Sequence, residues 1–301
     1  MAVRIGINPI TWSNDDLPEL GGDTPLETCL AEARQAGYDG IELGNKFPRR
    51  AELLRPLLAR HGLALVSGWY SGRLLARPLA DEIAAIDDHL GLLAAMGCRV
   101  MVFAETTGGV VGARGTPLSR RPRIADADWA GFAAKLTGLA EHTASRGVAL
   151  AYHHHMGTVI ESASDIDRLM AATGPAVGLL LDTGHLTYAG ADVLAVAHRH
   201  AGRINHVHCK DVRRGVLERV RAADAGFLDA VLDGVFTVPG DGCIAFAPLL
   251  AVLRAAGYGG WLVVEAEQDP AKAHPLTYAG MGYHHLHAAA RKAGLLQEAT
   301  P

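Results

Sequence analysis

The chain has 301 residues, 49% of them hydrophobic and 20% charged, an ordinary globular composition with enough apolar residues for one large core. Its formal net charge is -4, which argues against the basic face that a nucleic-acid partner requires. No run of about 18 apolar residues is present to cross a membrane, and Cys29, Cys98, Cys209 and Cys243 are too scattered for a disulfide framework or a thiolate metal site.

The N-terminal stretch MAVRIGINPITW lacks the basic start and long apolar core of a signal peptide, so a cytoplasmic, soluble protein is expected. Short β-branched runs then alternate with longer amphipathic ones. Strand 3–8 is followed by helix 25–37, with Thr24 as its N-cap, and by strand 40–44. Helix 49–62 contains Pro56, which is expected to kink it or mark its boundary. Strand 63–68, helix 79–97 and strand 99–104 come next. After an irregular segment at 105–126 the rhythm resumes with helix 127–147, strand 148–153, helix 163–174 and strand 177–182. Helix 192–200 and strand 203–208 precede a less regular stretch, 216–242, that is helical at first. Helix 246–257, strand 260–265 and a final helix over 276–293 complete the chain.

Eight strands separated by helices predict an α/β protein with a parallel sheet, and eight is the number that closes a (β/α)8 TIM barrel. An open doubly wound sheet would carry G-x-G-x-x-G after an early strand, and none follows VRIGIN. TTGGVVG (106–112) lacks a phosphate-binding lysine and reads as a βα loop, and SRRPR (119–123) reads as a solvated loop. No linker or low-complexity tract interrupts the chain, so residues 1–301 are read as one domain.

In such a barrel the chemistry gathers at the C-terminal ends of the strands. The last four predicted strands end in His153, Asp182, His208 and Glu265, each after an apolar run. Imidazoles and carboxylates in that mixture suit a divalent metal such as manganese, cobalt, iron or zinc. For Asp182 the competing role is a helix N-cap, since DTGH resembles a turn start. Strand alternation places His155 with His153, and turns His154 away. The same alternation puts His206, His208 and Lys210 on one side, and Glu265 with Glu267. His185 lies three residues after Asp182, within reach of the same mouth. Asn8, Trp12 and Glu42 sit at or just past early strand ends and, with His206, are candidates to bind substrate; Trp12 serves equally well as a packing aromatic. His198, His200, His284, His285 and His287 fall on helices and are read as surface, the last three with a subunit contact in a homo-oligomer as the other option. Cys209 faces the barrel wall.

Six segments in order, NPITWSNDD, YHHHMGT, LDTGHLTYAG, HVHCKDVR, GVFTVPGDG and WLVVEAEQDP, resemble the myo-inosose-2 dehydratase family of the xylose isomerase-like TIM-barrel superfamily. The resemblance runs from about residue 3 to 290. It implies a hydro-lyase that removes water from 2-keto-myo-inositol (scyllo-inosose), a cyclitol ketone, to give 3,5/4-trihydroxycyclohexane-1,2-dione. It further implies a manganese or cobalt ion and, in the family's description, glutathione. Superfamily members hold their metal with Glu, Asp, His and Glu; Asp182, His208 and Glu265 match the last three. The first position departs, with His153 where the glutamate would stand and His155 as the alternative. Isomerases and epimerases of the superfamily pair two metal-binding glutamates as bases, so this departure favours one-sided proton removal and elimination. Glu265 or Glu267 is then the base, and His155, His185 or Lys210 the acid. A sugar isomerase or epimerase is the alternative reading, and an endonuclease IV-like nuclease a more distant one.

Overall fold

The computed structural model describes residues 3–296; the remaining positions of the 1–301 domain reading lie outside the described residues. In chain order the elements are β1 (Arg4–Ile7), α1 (Leu26–Ala36), β2 (Gly40–Leu43), α2 (Ala51–Arg60), β3 (Ala64–Gly72), α3 (Leu79–Ala95) and β4 (Val100–Glu105). They continue with α4 (Trp129–Ser145), β5 (Ala149–His153), α5 (Ala163–Ala172), β6 (Val177–Asp182), α6 (Thr183–Tyr188), α7 (Val193–His200) and β7 (Ile204–Cys209). The last third holds β8 (Asp211–Val212), α8 (Arg214–Ala222), α9 (Phe227–Leu232), β9 (Phe236–Thr237), α10 (Phe246–Ala255), β10 (Trp261–Val264) and α11 (Pro275–Lys292).

Eight strands close a barrel in the order β1-β10-β7-β6-β5-β4-β3-β2, with every neighbouring pair parallel. Such strands are covered on both faces, which is why they read as unbroken apolar runs; all six residues of β6 are buried. Helices dock around them, and Leu30, Leu54, Leu90, Leu136, Leu169 and Leu250 belong to one continuous core. Among the described residues no helix is long and apolar enough to cross a membrane.

Several boundaries differ from the sequence reading. Pro25, not Thr24, occupies the N-cap of α1, and no side chain caps that helix. α2 runs through Pro56 instead of ending there. β3 extends to Gly72, beyond the end at residue 68 that Gly68 suggested. Gly68 is packed closely rather than placed in a turn: a Cβ there would stand 2.9 Å from the His89 ring, which would have to shift. The 216–242 region forms α8 and α9, and β9 pairs antiparallel with β8. Asp211 holds this excursion in place, its carboxylate accepting the N–H groups of Val212, Gly240, Gly242 and Ile244.

The SRRPR loop is not simply solvated. Arg121 is buried, donating to the carbonyls of Thr158 and Val159 and pairing with Glu161 at 3.3 Å and Asp165 at 2.7 Å. It thereby fastens the loop that follows β5. His200 likewise is partly buried against Asp167, 2.6 Å away, at the end of α7.

Candidate metal centre

β5, β6, β7 and β10 stand side by side, so the polar residues at their C-terminal ends converge. His153 ends β5, Asp182 ends β6, His208 is next to last in β7, and Glu265 follows β10 directly. Asp182 and His208 are register partners. One ligand-type atom from each of the four lies within 4.8 Å of the other three, and all four side chains are buried.

Hydrogen bonds assign the free lone pairs. His153 Nδ1 lies 2.6 Å from the His154 carbonyl, so Nδ1–H donates and Nε2 is left facing Asp182 Oδ2 at 3.6 Å. His208 Nε2 donates to Glu42 Oε1 at 3.2 Å, leaving Nδ1 toward Asp182 Oδ2 at 3.6 Å and Glu265 Oε2 at 2.8 Å. His208 Nδ1, Asp182 Oδ2 and Glu265 Oε2 are all buried without a well-aligned hydrogen bond, although the Lys210 ammonium approaches Glu265 Oε2 to 3.2 Å. Buried polar atoms without a well-aligned hydrogen bond are costly and rare, and the convergence of these three suits a bound cation. The donor set fits a divalent metal ion.

Charge around the cluster agrees. Burial, with the charges of His208 and His155, keeps the His153 pKa well below its ordinary value, so the imidazole is neutral and ligand-competent. Burial alone would lower His208 too, but Glu42 and Glu265 outweigh it and push its pKa well up, so a proton competes with a metal for the ligand nitrogen. Burial works to raise the Glu265 carboxyl, yet Lys210 and His208 hold it well below the carboxylate range. Asp182 caps a helix, as one of its two expected roles requires, and is placed where the other could be filled. Its Oδ1 accepts the His185 N–H at 2.8 Å and caps α6, a helix absent from the sequence reading, while Oδ2 joins the cluster.

Glu42 and His206, expected to bind substrate, are instead buried beneath the centre. Glu42 Oε1 accepts from His206 Nε2 at 2.9 Å, from His208 Nε2 and from Ser67 Oγ at 2.6 Å, while Oε2 accepts from Asn8 Nδ2 at 2.7 Å. Against the upward push of burial, the charges and hydrogen bonds of His208 and His206 hold this carboxyl well below its ordinary value. Such a carboxylate–histidine pair fixes the tautomer and orientation of a ligand. Trp12 is also corrected: it belongs to the core, with its indole N–H donating to Glu32 at 2.6 Å, and does not reach the cleft.

Above the centre opens a cleft of about 400 Å³. Asn8, His155, Glu265 and Glu267 line it. His185 and Lys210 do not, being fully buried behind them, so neither is placed to hand a proton to a molecule in the cleft. Lys210 Nζ lies 3.0 Å from Glu267, 3.2 Å from Glu265 and 3.9 Å from Asp182, and it donates to His185 Nε2 at 3.0 Å. His155 donates from Nδ1 to the Met156 carbonyl at 2.8 Å and points Nε2 at Glu267, 3.9 Å away. Burial opposes its protonation, but Glu267 prevails and the His155 pKa is raised. His154 turns away from the cleft as alternation requires, its Nε2 accepting the Asp182 N–H at 3.1 Å.

Other cleft residues escaped the sequence reading. Trp69 and Ser71 enter because β3 is longer than expected, and Asp15, Asp16 and Arg49 come from loops. Burial and the nearby Glu267 raise the Asp16 pKa. A smaller cavity of about 230 Å³ touches the 153–161 loop through Met156 and Glu161 and holds none of the cluster side chains.

Fold and site define a closed parallel barrel with a buried mixed histidine–carboxylate centre at the strand ends. The chain belongs to the xylose isomerase-like TIM barrel family, whose model matches residues 30–289. It is 54% identical over 294 residues to the rhizopine catabolism protein MocC of Rhizobium meliloti, covering 98% of this chain and 90% of that protein. It is 46% identical over 279 residues to the inosose dehydratase of Geobacillus thermodenitrificans, covering 92% and 94%. Among solved structures it resembles an L-ribulose 3-epimerase, with TM-score 0.68 at 19% identity over 97% of this chain and 96% of that one. It also resembles a probable 3-DHS dehydratase from Bacillus anthracis, with TM-score 0.69 at 13% identity over 95% and 99%. At those identities the structural likeness shows the fold alone.

Proposed function

We propose that the chain is a metal-dependent hydro-lyase that removes water from an inosose, 2-keto-myo-inositol, to give 3,5/4-trihydroxycyclohexane-1,2-dione. Relatives named inosose dehydratase at 40–46% identity over more than nine-tenths of the chain support the reaction class. The observation that carries the mechanism is that only Glu265, of the four cluster side chains, lines the cleft. Beside it stand Glu267 and a His155 whose proton Glu267 stabilises. Base and acid are thus gathered at one side.

The difficult step is removal of the proton on carbon next to the ketone. A divalent ion held by His153, Asp182, His208 and Glu265 would supply Lewis-acid stabilisation of the negative charge that develops on the ketone oxygen. Glu265, kept ionised by Lys210 and His208, is the base, with Glu267 as the adjacent alternative. His155 delivers its proton to the departing hydroxyl, which leaves as water while the new double bond forms in the ring. The resulting enol then rearranges to the dione. Manganese or cobalt is the metal we favour for this nitrogen and oxygen donor set.

The cleft suits a neutral polyol. Arg49 is the arginine in its wall, and it already donates to the Gly44 carbonyl at 3.1 Å, so no cluster of free basic groups awaits a phosphate. Trp69 is 40% exposed, with its ring 5.4 Å from that of His153 and its N–H fixed on Ser71 Oγ at 2.8 Å. Its open face takes the C–H side of a cyclitol ring. All four cysteines are free, in keeping with a reducing compartment such as the cytoplasm, and we treat the chain as one barrel domain.

The test is ultraviolet detection of dione from keto-inositol by metal-loaded protein, with deuterium exchange at the α-carbon followed in parallel. His155→Ala should retain exchange but release little product. Loss of exchange with metal and substrate still bound would reverse the assignment of base and acid, and turnover of ketohexoses but not keto-inositol would favour an isomerase or epimerase.

A further inference from the structure

Beside the four-residue cluster lies a second group with metal-ligand chemistry. His155, His185 and Glu267 each bring one ligand-type atom to within 4.8 Å of the others, and all three are buried. A pair of imidazoles and a carboxylate is a sufficient set for a divalent ion. Here the space is already served by a cation of the chain itself. The Lys210 ammonium lies 3.0 Å from His185 Nε2 and 3.0 Å from Glu267 Oε2, and 3.2 Å from Glu265 Oε2 on the side of the first cluster. The Phe236 ring closes over it at 4.7 Å.

The fold is shaped to deliver this ammonium. Thr183 Oγ1 donates to the Lys210 carbonyl at 2.6 Å and accepts the Lys210 N–H at 3.0 Å, clamping its backbone. Gly184 leaves a channel for the stem, since a Cβ there would stand 2.7 Å from Lys210 Cδ. Charge completes the case. Asp182, Glu265 and Glu267 are three buried carboxylates within 3.9 Å of the Lys210 ammonium, which supplies one of the positive charges they require.

We propose that Lys210 occupies the second cation position of the barrel mouth and so restricts the protein to one metal ion per chain; without its charge, His155, His185 and Glu267 would take a second divalent ion. This rests on the reading of His153, Asp182, His208 and Glu265 as the first metal site. It makes Lys210 a determinant of metal stoichiometry, its ammonium standing 3.0 Å from Glu267 and 3.2 Å from Glu265 behind the cleft.

The test is manganese loading of purified, metal-stripped protein, with bound ions counted by elemental analysis and their spin coupling read by electron paramagnetic resonance. Wild type should bind one ion with the spectrum of an isolated Mn(II). Lys210→Met and Lys210→Gln, checked for folding by circular dichroism, should each bind two, with the signal of a coupled pair. Adding Glu267→Gln to either should return the count to one. One ion and an isolated spectrum in the folded Lys210 variants would overturn the proposal while leaving the first site intact, and so would two tightly bound ions in wild type. No ion in wild type would overturn the metal-centre reading and this proposal with it.

Discussion

Asp182 and His185 are joined by a 2.8 Å hydrogen bond from the His185 N–H to Asp182 Oδ1, and the other oxygen of the same carboxylate faces the metal cluster. The two duties separate by substitution. Asparagine caps a helix about as well as aspartate, whereas alanine forfeits roughly 1 kcal/mol. Asp182→Asn should therefore melt above Asp182→Ala in metal-free form, while both lose metal affinity. An Asn variant that binds metal like wild type would show that Oδ2 is no ligand.

Glu42→Gln should lower metal affinity by about 10–100-fold without unfolding the barrel, because it weakens the hydrogen bond that orients His208. The metal-free His208 pKa is raised, so below that pKa its ligand nitrogen carries a proton that the metal must displace. Affinity should rise with pH until His208 deprotonates unaided, and binding at neutral pH should release a proton. Calorimetry in two buffers of different ionisation enthalpy measures this release, which should shrink in Glu42→Gln.

The rate should fall on the alkaline side. His155 acts in its acid form, and Glu267 raises its pKa against the effect of burial, so activity persists above the ordinary histidine range and is lost as pH passes through the raised value. Removing the charge in Glu267→Gln should move that limb to lower pH. A profile of kcat against pH with an unmoved limb in this variant would remove His155 from the acid role.

Trp69→Ala should raise KM more than it lowers kcat, since an aromatic platform contributes about 1 kcal/mol, or ~5-fold, to binding. Steady-state kinetics with keto-inositol gives both constants.

Arg121→Ala should cost about 3 kcal/mol, because it leaves Glu161 and Asp165 facing a buried gap and frees two loop carbonyls. Denaturant unfolding reports the loss; an unchanged midpoint would mean the two ion pairs contribute no net stability.

Most of the barrel was legible because its strands are short apolar runs ended by glycine-capped helices, a local signal. The cluster was legible for a related reason: in a parallel barrel the chemistry stands where an apolar run stops, as at LLLD and WLVVE. What sequence could not supply were relationships set by packing. Glu42 looked like a pocket residue because it ends a strand, but only the closed barrel brings it under His208. Gly68 looked like a strand end because its packing against His89 cannot be read locally, and Trp69 was lost with it. Arg121 looked solvated because its partners lie 40 and 44 positions further along.

The contact between Glu42 and His208 spans the molecule: all four cluster residues come from the later half of the barrel, while the carboxylate that sets the His208 tautomer comes from the second strand. Neither half is therefore a self-sufficient module. A chain cut between β3 and β4 would leave every ligand on one fragment and the group that orients His208 on the other, so metal retention becomes a measure of reassembly. For the same reason, transplanting β5 to β10 onto a foreign half-barrel would carry the ligands but lose the orientation of His208 unless a carboxylate is rebuilt at position 42.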